Sequence, residues 1–145
     1  MASFVPFNKF KLQLGKANYN FGTGSAGGGD ALKMSLTNTA PTAATDTVWT
    51  VGTYPAPTNA NGYTAGGYTV TYTWAETGGV TTLGCTTPIV VTASGGTLGA
   101  FRYVVLYDTI SPYGVIGYWD YGSSITLADT ETFTITPSVS LFTLT

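Results

Sequence analysis

The chain has 145 residues, a net charge of −2, seven acidic and five basic side chains, no histidine and one cysteine. General acid–base, nucleophilic and metal chemistry draw on His, Cys, Asp, Glu, Lys or a poised Ser, so the composition supplies no convincing catalytic, cofactor-binding or metal-ligating set and argues against an enzyme. Five dispersed basic residues in a chain of pI ≈ 4.6 leave no electrostatic footprint for nucleic acid, and Cys85 alone can neither bridge within the chain nor assemble a zinc site.

The opening MASFVPFNKFKLQLGK lacks the continuous apolar core of about seven or more residues that a signal peptide needs, which predicts a cytosolic product. Phe7, Phe10, Leu14, Ala17 and Phe21 recur at three- and four-residue steps, the stripe of a helix, although FKLQL at 10–14 also alternates as a strand does. Gly15 weakens the helix by about 1 kcal/mol. The first 21 residues thus read as a short helix or an extended arm, packed on the body or on a neighbour and removable without unfolding the rest. Residues 1–29 hold Lys9, Lys11 and Lys16 and no acid, whereas residues 30–145 hold Lys33 and Arg102 against all seven acids. A basic arm on an acidic body steers assembly onto an acidic surface, a second copy included; a plain solvated face is the alternative. GTGSAG at 22–27 matches G-x-G-x-x-G by letter, but no buried strand precedes it and no helix follows, so it reads as a flexible connector.

From residue 30 onward the period is two. In LKMSLTN at 32–38, Leu32, Met34 and Leu36 face one way and Lys33, Ser35 and Thr37 the other, as in a half-buried strand. Further strands are predicted at 47–53, then at 68–74, where Tyr68, Val70, Tyr72 and Trp74 alternate with threonines, and at 80–84 and 88–93. FRYVVLYD at 101–108 is apolar on both faces and is predicted to be central; VIGYW at 115–119, TFTIT at 132–136 and a short run within 139–144 complete the set. Turn signals such as Thr39-Ala40-Pro41, Asn61-Gly62, Gly78-Gly79 and Gly95-Gly96 separate them. Eight or nine short strands without a long helix indicate an all-β, antiparallel β-sandwich or jelly-roll-like domain over residues 30–145, preceded by an arm and connector over 1–29. The longest apolar run, YVVLY at 103–107, is far short of the about 20 residues that span a membrane as a helix.

Asp108, Asp120, Asp129 and Glu131 match no loop-ligand spacing and read as solvent-facing turn acids, with Asp129 in the turn before TFTIT. Cys85, with no cation near it in sequence, reads as a small buried hydrophobe. Arg102, the only arginine, either pairs with a carboxylate such as Asp120, stacks on an aromatic ring, or serves an interface. Tyr113, Tyr118, Trp119 and Tyr121 form an aromatic stretch suited to core packing with subunit contact, or to a carbohydrate platform.

Five segments resemble small virion structural proteins of tailed bacteriophages and prophages: NKFKLQLGK at 8–16, LKMSLTNTAP at 32–41, NGYTAGG at 61–67, FRYVVLYD at 101–108 and GYWDYGSSITLADTETFTI at 117–135. They run in that family's order over most of the chain, and the last, a Trp-Asp-Tyr-Gly turn with Leu-Ala-Asp leading into a strand, is the most specific. The departures are GTGSAGGGD at 22–30 and the Thr-rich middle between 75 and 98. The resemblance implies a capsid decoration, or cement, role at the virion surface, with the major capsid protein and a second or third copy of the chain as partners and no cofactor. On that reading Phe7, Lys9, Phe10, Lys11 and Leu14 of the arm, with Arg102, Tyr113, Tyr118, Trp119 and Tyr121, are the interface candidates. The alternative is a tail-fibre or receptor-binding module that engages a host glycan through the aromatic stretch.

Overall fold

FRYVVLYD lies in the strand at the middle of the largest sheet. A computed structural model describes residues 2–22, 29–57, 59–110 and 114–145. Among these the element order is β1 (Phe4–Pro6), α1 (Asn8–Gly15), β2 (Leu32–Thr37), β3 (Tyr68–Thr69), β4 (Tyr72–Thr77), β5 (Val80–Cys85), β6 (Ile89–Thr92), β7 (Leu98–Asp108), β8 (Val115–Leu127), β9 (Thr132–Ile135) and β10 (Phe142–Leu144). The strands form three antiparallel sheets, ordered β1-β8-β7-β2-β3, β10-β5-β4 and β6-β9. The protein is therefore all-β with one short helix.

β7 is buried along both faces from Tyr103 to Asp108, as its two-sided apolar pattern requires. Val104 faces β9, whereas Tyr107 faces the segment between β2 and β3, where the Trp49 ring stacks on it at 4.1 Å. The same covering segment corrects two expectations. Residues 47–53 form no strand; only Val48 bridges, to Gly114. Instead the Trp49 indole N–H donates to Ser35 Oγ at 2.7 Å and the Tyr63 hydroxyl accepts the Leu36 N–H at 2.8 Å. Ser35 and Thr37 are thereby buried, and β2 is covered on both faces rather than half-exposed.

The alternation read at 68–74 is present, but the run is not one strand. β3 pairs with β2, β4 pairs with β5, and Val70–Thr71 carry the chain from one sheet to the next, with the Val70 N–H on the Leu32 carbonyl at 2.9 Å. β8 runs past Trp119 to Leu127 because register shifts against β7 absorb the Trp-Asp-Tyr-Gly sequence as an irregularity within the strand, with Gly122 at a φ of 94°. Asp129 and Glu131 build the following turn, as expected: Asp129 Oδ1 accepts the Gly95 N–H at 2.8 Å and Glu131 Oε2 the Ala128 N–H at 2.7 Å.

The N-terminal segment is not a separable arm. β1 adds to the free edge of β8, with Phe4 opposite Trp119, and Phe7 and Phe10 are fully buried. Phe10 meets the rings of Tyr19 and Phe142 edge-on, each at 5.2 Å, and Phe21 at 6.2 Å. A helix does form, and Gly15 is its last residue. The stems of the Gly-rich segment are tied together: the Asp30 N–H donates to the Asn20 carbonyl at 2.7 Å and the Asn20 N–H to Asp30 Oδ2 at 2.6 Å. That clasp joins the two described ends of the expected connector, whose residues 23–28 lie outside the described residues.

Cys85 is buried, and loss of hydration pushes its thiol up to about 12. Three outcomes are expected. Phe10→Ala should cost about 3–5 kcal/mol in urea unfolding, and removal of residues 1–21 should abolish the cooperative transition. An aromatic disulfide reagent near neutral pH should label Cys85 only on the timescale of unfolding; rapid stoichiometric labelling of the folded chain would contradict its burial.

Candidate functional site

An open groove of about 570 Å³ runs between β1, β8, β9 and the segment 136–141. Its aromatic walls follow from strand geometry. Trp119 and Tyr121 are two residues apart on β8, Phe4 sits opposite Trp119 with ring centroids 4.8 Å apart, and Phe133 of β9 meets Tyr121 edge-on at 5.7 Å. Gly117 makes room for this arrangement, because a Cβ there would collide with the Phe4 ring. Val104 and Leu141 add apolar surface, and Ser3, Thr134, Thr136, Ser138 and Ser140 are the polar residues of the lining. None of the lining residues carries a charge.

The structure separates the sequence candidates. Trp119 and Tyr121 line the groove, whereas Tyr118 packs on the opposite face of β8 against Phe7 at 5.4 Å and Tyr103 at 6.4 Å. Tyr113 lies outside the described residues. Phe7 and Phe10 belong to the core and are withdrawn from any contact surface, and Leu14 packs partly buried against that core. Lys11 is exposed on α1 and Lys9 partly so. Arg102 grips Asp120 with both ends of its guanidinium, Nε to Oδ1 at 2.7 Å and Nη2 to Oδ2 at 2.8 Å, and lies over the Tyr103 ring at 5.2 Å. Its pairing with Asp120 holds that carboxyl below the usual carboxylate range. Phe4, Phe133 and the polar residues of the lining escaped the sequence reading. The signal for Phe4 was Gly117, a small residue placed where a cross-strand ring had to fit.

A second constellation is internal. Asp108 is not a solvent-facing turn acid: it is 3% exposed, Asp30 is 8% exposed, and the Asp30 carboxyl is near enough to act on that of Asp108. Asp30 Oδ2 also accepts the Asn20 N–H and Asp108 Oδ1 accepts the Ile110 N–H at 2.8 Å. Burial and, against the pull of the Ile110 N–H, the neighbouring Asp30 charge push Asp108 up to about 7. Burial and the same two carboxyls raise the Tyr19 hydroxyl, which donates to the Val115 carbonyl at 3.3 Å. Access is through a crevice of about 130 Å³ lined by Lys9, Gln13, Tyr19 and Asp108, among others. Asp30 belongs to the Asn20–Asp30 clasp and Asp108 to the end of β7, so burying the two together seats the clasp against that strand. Among the described residues no group of three or more His, Cys, Asp or Glu is placed to hold a metal ion, and no helix is long and apolar enough to cross a membrane.

The chain matches no protein-family model, no curated protein and no solved structure.

The acid pair sets a pH dependence. An unfolded aspartate titrates near about 3.9, so the contribution of protonated Asp108 is complete below that pH and is lost as the pH rises through about 7. Asp108→Asn, which mimics the protonated form and keeps an acceptor for Ile110, should therefore show a smaller fall in Tm between about pH 4 and pH 8 than the native chain; an identical fall would remove the pair as its cause.

Proposed function

We propose that the protein is a structural component of a tailed-phage virion, a β-sandwich of jelly-roll-like kind that decorates the capsid and performs no chemistry. It binds the lattice of the major capsid protein as a dimer or trimer. The segments that resemble such proteins support this reading: FRYVVLYD forms most of β7, and GYWDYGSSITLADTETFTI spans most of β8 and all of β9. With the arm built into the core, contact with the lattice passes to what α1 presents outward. One observation carries that step. Lys11, Leu12 and Lys16 are exposed on or directly after α1, beside the partly exposed Lys9, and the segment contains no acid. A basic face with one exposed leucine suits an acidic capsomer surface, and the acidic remainder of the chain sets its orientation there.

The double variant Lys11→Glu, Lys16→Glu should keep its circular dichroism and Tm and bind purified capsids at least about tenfold more weakly, while native binding weakens with added salt. Undiminished binding of the variant would sink the α1 contact. Copy counting on virions by cryo-electron microscopy tests location: hundreds of copies on the head lattice are expected, and a few at the tail tip would overturn decoration.

A further inference from the structure

We infer that the groove between β1, β8 and β9 is a binding site for a neutral saccharide. Its volume of about 570 Å³ falls within the roughly 300–1,000 Å³ of small-molecule sites. Because no Asp, Glu, Lys or Arg lines it, a charged ligand would give up hydration there without meeting an opposite charge. A wholly apolar ligand fits no better, since it would cover the polar part of a lining that includes Thr134, Thr136 and Ser140.

A pyranose has the matching chemistry. One face of its ring presents C–H groups, which lie against aromatic rings, and its edge carries hydroxyls that both donate and accept. Trp119, Tyr121 and Phe133 supply the rings, and the serines and threonines of the lining are uncharged residues able to donate to and accept from the edge of the sugar. The platform is preorganised, with Phe4 wedged over Gly117 beside Trp119 and Phe133 set edge-on to Tyr121, so binding orders few side chains. An added peptide strand is disfavoured. β1 spans three residues and ends in Pro6, which has no N–H to donate, and β9 spans four. The inference is independent of the capsid reading, because Lys11, Leu12 and Lys16 lie outside this groove.

The test titrates the full-length, ¹⁵N-labelled protein with cellotriose, maltotriose and the N-acetylglucosamine trimer, with sialyllactose and an extended Val/Thr peptide as controls. At least one neutral trisaccharide should shift the Trp119 indole N–H saturably. Tyr121→Ala, which removes a ring 57% exposed, should weaken that binding by about tenfold without lowering Tm. Trp119→Phe should retain more of it than Trp119→Ala, read through the backbone amide shifts of β8 and β9, since neither variant carries the indole N–H. The inference is overturned if none of the three sugars shifts Trp119 at concentrations on the order of 10 mM, if Tyr121→Ala leaves the shift intact, or if only the peptide or the charged sugar binds. The variant Lys11→Glu, Lys16→Glu should keep the sugar shifts, so loss of capsid binding and loss of sugar binding report on different surfaces.

Discussion

A strand that is apolar on both faces has to be covered on both, and β7 is such a strand. Much of the architecture answers that demand. Toward Val104 the cover is β9, with Phe133 edge-on to Phe101 at 5.2 Å. Toward Tyr107 no sheet lies among the described residues, and the chain lays Trp49 over the strand instead. The cover on that side carries many polar groups, and it is tolerable because they find partners inside: Trp49 with Ser35, Tyr63 with the backbone of Leu36, Tyr107 with the Gly66 carbonyl. Gly67, at a φ of 72°, lets this segment press against the Met34 carbonyl, where a side chain has no room.

What was legible in the sequence was local. Alternation and short apolar runs between turn signals located β2, β4, β5, β6 and β9 to within a few residues, and two-sided apolar character located β7. The segment 47–53 has the same composition as those strands, and nothing within it reveals that Trp49 is used as a lid rather than as a rung. The break at Val70–Thr71 is equally silent, because a strand that changes sheets keeps its alternation through the change. The FKLQL ambiguity was resolved by tertiary burial: Phe7 and Phe10 are both taken into the core, and a helix between β1 and the Tyr19–Phe21 turn delivers them there.

The site shows the same division. The Arg102–Asp120 pair was readable because two opposite charges stood alone in neighbouring apolar runs. Tyr118 and Trp119 could not be told apart as a cluster, yet adjacent residues of a strand point to opposite faces, and that rule alone sends one to the core side and the other to the groove. Asp30 and Asp108 were not paired in the sequence reading because the contact depends on the register of β2 against β7, which places Leu32 opposite Asp108. Registers of that kind are set by the whole sheet rather than by either strand.

β1 finds its only sheet partner, β8, near the far end of the chain, and β10 returns from the C-terminus to β5. Contacts of such sequence separation close late and slowly. On the ribosome, β1 emerges well before β8 and is therefore among the last elements to be placed. A nascent chain halted before Val115 has no edge for Phe4–Pro6 and only one neighbour for β7, leaving its most apolar strand open to other chains. The greatest hazard to such a chain thus comes during synthesis rather than after folding, and it falls on incomplete chains.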